Sequence, residues 1–103
     1  MAQFDVFANP ILAARRAYPF VVAMQSDIAT DASQIVAPLA PRVLMPKVAG
    51  HLAPTVAVNG ADHVVIIPRM TPIRSSDLNH RIASISAARA ELLAAIDYLF
   101  FGV

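Results

Sequence analysis

Apolar and polar positions change their spacing along the chain, and the changes mark out its elements. Phe4 and Val6 alternate with Gln3 and Asp5 at the two-residue period of a half-buried strand, which predicts a strand over Gln3 to Phe7 that Asn9-Pro10 ends. Asn9 to Pro19 mixes proline, alanine and the pair Arg15-Arg16 and reads as a mobile loop, whereas Phe20 to Gln25 is apolar enough for a central strand that Ser26-Asp27 leaves in a turn. Gln34 to Ala37 predicts a short strand stopped by Pro38, and Pro41 and Pro46 leave room for at most a turn of helix within Val43 to Ala49.

The clearest local signal is Thr55 to Val58, then Asn59-Gly60-Ala61-Asp62, then His63 to Ile67. Asparagine and glycine tolerate positive φ, so a hairpin with a short turn follows, its register open by about a residue. Pro72 and Ser75-Ser76-Asp77 mark an irregular stretch, with a turn expected at Asn79. Beyond it the period becomes helical. Ser84 or Ser86 is placed to cap a helix, Ala88, Leu92, Ala95, Ile96, Leu99 and Phe100 recur at three- and four-residue spacing, and Gly102 stands where such a helix stops. Several short strands and one late helix predict an α+β fold, a small antiparallel sheet or barrel with the helix packed on it.

A chain of 103 residues suits one domain, 1–103, with a core built without disulfide or metal. The apolar fraction of 57% is spread evenly through alanine, valine and isoleucine, which points to a buried interface between copies. No apolar run approaches the roughly 20 residues that span a bilayer, so no membrane segment is expected. Met1 to Asp5 lacks the basic and apolar stretches of an export signal, and cysteine is absent, so the expected compartment is the cytoplasm. A formal charge of +1 leaves little field to hold a polyanion, which argues against direct nucleic-acid binding.

Catalytic chemistry finds no foothold in the pattern. His51, His63 and His80 lie far apart, without helical pairing or nearby carboxylates at metal-ligand spacing, and are expected to be surface residues of strands or loops. The seven acidic residues form no recognisable acid and base pair, and glycines at 50, 60 and 102 build no phosphate loop. No cofactor is expected. Arg15-Arg16 reads as a solvated loop pair. What stands out is the carboxyl end, where Tyr98, Phe100 and Phe101 are three of seven aromatic residues. Phe100 suits a core anchor as well as a surface, while Phe101 projects about 100° away from it and suits an interface.

The order Phe4-Asp5-Val6, Tyr18-Pro19-Phe20, Gln25-Ser26-Asp27-Ile28, Pro38-Leu39, Pro54-Thr55-Val56 and Asp97-Tyr98-Leu99-Phe100-Phe101-Gly102-Val103 resembles the CcdB toxin family over essentially the whole chain. Ile82-Ala83-Ser84-Ile85 is similar to that family's usual Val-Ala-Ser-Leu. The resemblance implies an SH3-like antiparallel sheet with a C-terminal helix, assembled as a homodimer. It implies a toxin that binds the A subunit of DNA gyrase, traps the enzyme on cleaved DNA and is neutralised by a CcdA-like antitoxin. The implied gyrase surface comprises Ile28, Ala29, Asp97, Phe100, Phe101, Gly102 and Val103. Phe101 occupies the place of the family's arginine-holding tryptophan, Ile28 and Ala29 that of an isoleucine pair, and Asp97 that of an asparagine. Two alternatives stay open: a dimeric relative that binds antitoxin without poisoning gyrase, and a MazF-like endoribonuclease, which would need a basic groove and an acid and base pair.

Overall fold

The computed structural model describes residues 2–26, 32–45 and 50–102. Seven antiparallel strands form one strongly curved, nearly closed sheet: β1 (Asp5–Ala8), β2 (Phe20–Ala23), β3 (Ser33–Pro41), β4 (Thr55–Val58), β5 (Ala61–Val65), β6 (Thr71–Arg74) and β7 (Ala83–Ser84), followed by one helix, α1 (Arg89–Phe101). Their spatial order is β4-β5-β3-β2-β1-β7, with β6 alongside the first half of β3. The architecture is the expected SH3-like α+β arrangement.

The hairpin forms where Asn-Gly demands it. Val58 pairs with Ala61, so the turn is only Asn59 and Gly60, at φ +51° and +81°, and the open register resolves into a two-residue turn with both residues left-handed. Ala61 and Asp62, expected in the turn, belong to β5.

Three local expectations fail because pairing partners override local propensity. Pro38 does not end a strand, since β3 runs through it to Pro41. β3 pairs with β6 as far as Val36 and with β5 from Leu39 onward, so Pro38 sits at the handover between two neighbours. Its carbonyl accepts from Ile66 N on that side, at 3.0 Å, and its missing N–H therefore falls where no ladder bond was due. Pro72 likewise lies within a strand, on the outer strand β6 opposite Ile35. The positive φ near residue 79 belongs to His80, at +58°, rather than to Asn79.

The sheet is covered on both faces, which removes the alternation expected of β1: Asp5, Val6 and Phe7 are all buried. On the inner face Phe4, Val6, Val22, Leu39, Val56, Val58, Val65 and Ile67 pack under Leu92 and Ala95 of α1. On the outer face Phe7, Val21, Ala23, Val36, Ile73 and Leu78 form a second cluster. Phe4 is held in a left-handed conformation, φ +69°, because its N–H donates to Ala23 O and its carbonyl accepts from Ile85 N. The loop after β1 is clipped at its base: Asn9 donates to Tyr18 O, accepts from Ile11 N, and its carbonyl accepts from Arg15 Nε.

Candidate partner-binding end of the C-terminal helix

Two glutamines lock the end of β2 to the start of β3. Gln25 N donates to Gln34 Oε1 at 2.8 Å, and Ile35 N donates to Gln25 Oε1 at 2.9 Å. Gln34 is 1% exposed, so this amide pair satisfies polar groups that water does not reach. The motif Gln25-Ser26-Asp27-Ile28 thus has a structural half, and the expected surface residues Ile28 and Ala29 lie outside the described residues.

Helix α1 begins without the side-chain cap expected of Ser84 or Ser86. Ala88 holds the N-cap position, and Ser84 Oγ instead accepts from Ser86 N at 3.3 Å in the preceding 3-10 turn. Leu92 and Ala95 are fully buried, and Leu93, Ile96 and Leu99 pack partly against the same core. Nine residues at 100° each place Phe101 about 180° from Leu92, pointing straight away from the sheet. Phe101 is 75% exposed. Phe100, which the helical spacing assigned equally to the core, is 65% exposed, because Leu99 alone completes the apolar seam at that level. Asp97 lies one turn before Phe101 on the same outward face and is exposed. Gly102 closes the helix at φ +74°, its N–H donating to Tyr98 O at 3.0 Å. Val103 lies outside the described residues.

The described tip offers one carboxylate, Asp97, and no basic side chain in its last turn. The free carbonyls at the helix end and the Asp97 carboxylate therefore act together, framed by two exposed aromatic rings. Aromatic faces and anionic oxygens are the groups that a guanidinium seeks. The described residues unite Asp97, Phe100, Phe101 and Gly102 at the end of α1. Gln3 bridges Met24 O and Arg89 Nη1, which ties the end of β2 to the first turn of α1, about 18 Å along the helix from Phe101.

Sequence reasoning missed two histidine environments. The His51 ring stacks on Tyr98, centroids 4.8 Å apart and 13° from parallel, beside a cavity of about 310 Å³ lined by Gly50, Pro54, Thr55, Glu91 and Ala94. His63, expected at the surface, is buried on β5, with Nδ1 2.9 Å from Ala61 O and its ring edge-on to Phe20. The inner-face position of His63, opposite Val56 and against Phe20, accounts for the second, and a fold contact across 47 residues, which leaves no periodic trace, accounts for the first.

The fold and this tip define a small SH3-like α+β protein with an exposed aromatic, anionic end. The model of the CcdB protein family matches residues 3–102. The chain belongs to the CcdB family, whose members are toxins of toxin–antitoxin systems rather than catalysts. A search of curated proteins returns no match. No helix among the described residues is long and apolar enough to cross a membrane.

Proposed function

We propose that this toxin acts in the cytoplasm as a homodimer that binds the A subunit of DNA gyrase, traps the enzyme on cleaved DNA, and is neutralised by a CcdA-like antitoxin. The observation that carries the reading is the composition of the helix tip: Phe100 and Phe101 exposed beside Asp97 at the anionic end of α1, in a chain of the CcdB family. Two such tips related by a twofold axis clamp one arginine of the target between aromatic faces, with the carboxylates and helix carbonyls supplying the counter-charge. Asp97 then strengthens the hold on arginine where the family carries a neutral asparagine.

A gyrase DNA-cleavage assay tests this, run with the protein beside a variant truncated after Phe100 whose fold is checked by circular dichroism. The expected result is accumulation of cleaved DNA that truncation abolishes. Absence of cleavage by a folded dimer at every concentration refutes it. Phenylalanine in the tryptophan's place favours a second reading under that outcome, a dimer that binds antitoxin without poisoning gyrase.

A further inference from the structure

The barrel is not closed, and its open seam is built differently from its other edges. The sheet ends at β4 on one side and β7 on the other. Between them lies a groove of about 290 Å³ lined by Thr55, Val56 and Ala57 of β4 and by Ser84, Ile85, Ala87, Ala88 and Glu91 across the gap. It continues past Thr55 and Glu91 into the cavity beside His51.

The register of the β4–β5 hairpin tells which backbone groups face this seam. In a two-residue hairpin the flanking pair, Val58 and Ala61, exchanges hydrogen bonds, and the alternation places Val56 and Pro54 in the same class; Pro54 O indeed accepts from Val65 N at 2.9 Å. Thr55 and Ala57 therefore direct their N–H and C=O groups away from β5, toward β7. Among the described residues no hydrogen bond outside the β4–β5 ladder uses either residue.

Unpaired edges are ordinarily blunted by charge, proline or shortness. The outer strand β6 carries Pro72 and Arg74, and β7 is only two residues long. β4 reads Thr-Val-Ala-Val, with no charge, no proline and both edge-facing residues exposed. We infer that the β4–β7 seam is a docking site for an extended peptide, which adds a strand to β4 through Thr55 and Ala57 and carries a basic side chain opposite Glu91.

Three observations select this occupant. Donors and acceptors two residues apart, unused among the described residues, are the spacing that a strand reads. The floor is apolar, since inward-facing side chains of an added strand meet Ile85 and Ala88. Glu91 is the one charged residue lining the groove, and it also lines the adjoining cavity, so charge complementarity favours lysine or arginine. The recessed position of the edge, walled by β7 and α1, suits a single strand better than the edge of a second folded sheet. This inference does not depend on gyrase poisoning, because the seam and Phe101 lie on different parts of α1.

The test uses a short fluorescein-labelled peptide alternating valine and lysine, with blocked ends, followed by fluorescence anisotropy and by amide hydrogen exchange. Binding is expected, with new protection of the Thr55 and Ala57 amides. Replacing lysine by glutamate, or N-methylating the peptide bonds that face β4, is expected to weaken binding about tenfold or more, the worth of one or two hydrogen bonds or a partly buried charge pair. Ala57→Pro removes an N–H that β5 does not use and is expected to cost a similar factor with melting preserved, while Glu91→Lys is expected to reverse the preference to the glutamate peptide. The protein truncated after Phe100 is expected to bind as the full chain does, which keeps this result separate from that of the cleavage assay. No binding, or binding indifferent to N-methylation and to Glu91→Lys, overturns the inference. So does self-association that Ala57→Pro abolishes and the peptide cannot displace, which would put a second copy on the β4 edge.

Discussion

Replacing Phe101 by alanine deletes a ring that is 75% exposed in the folded chain, so folding and binding should respond very differently. The covered quarter of a side chain that can bury about 200 Å² is about 50 Å², worth about 1.3 kcal/mol at 25 cal/mol per Å². A loss of that size lowers the melting temperature of a 100-residue domain by at most about 10 °C. Binding loses more. A guanidinium on a desolvated aromatic face is worth roughly 1 to 2 kcal/mol, and a twofold clamp loses both rings at once, so affinity for a gyrase A fragment should fall by about 2 to 4 kcal/mol, or roughly 30-fold to 1,000-fold. Calorimetric titration of that fragment, run beside thermal melting, separates the two quantities, and Phe101→Trp should tighten binding, because tryptophan offers the stronger face. Unchanged affinity in the alanine variant would refute the clamp. A fall in melting temperature well beyond 10 °C would show that Phe101 is instead an anchor of the assembled fold.

The remaining predictions concern the frame that holds this tip. Leu92→Ala empties a fully buried site between α1 and the sheet and should cost about 2 to 5 kcal/mol in urea unfolding, with the slope unchanged; a cost below 1 kcal/mol would mean that the helix is not anchored there. Gln34→Ala removes the acceptor for Gln25 N and should cost about 1 to 3 kcal/mol, with faster exchange of that amide as the local signature. Unaltered exchange at Gln25 would show that the Gln34 side chain does not protect that amide.

How much was legible beforehand follows from whether a signal is local. The hairpin was, because Asn59-Gly60 supplies two consecutive left-handed residues and few other structures use them. The helix and its stop were, because Leu92, Ala95 and Leu99 repeat on one face and Gly102 accepts the closing conformation. The family was legible through motifs spread over the chain, and with it the helix tip as the place to look. Phe101 could be placed outward from its helical angle, whereas Asp97 was singled out only through the family resemblance.

Tertiary structure decided the rest. Whether Pro38 breaks β3 depends on which neighbour its missing N–H would face, and that neighbour changes from β6 to β5 beside it. Burial of both sheet faces, which erased the alternation in β1, depends on Ile73 and Leu78, more than 60 residues from Phe7, folding over the outer face, while His63 is taken inside opposite Val56 and against Phe20 on the inner face. The reach of Leu99 made Phe100 surface and not core. The open seam at β4 exists because β7 is too short and too far round the barrel to close it, a property of strand order that no stretch of sequence carries by itself. Local conformation is set by each residue's own φ and side-chain volume, so the chain states it directly. Pairing and burial are set by which distant surfaces meet, and those are settled only when the barrel forms.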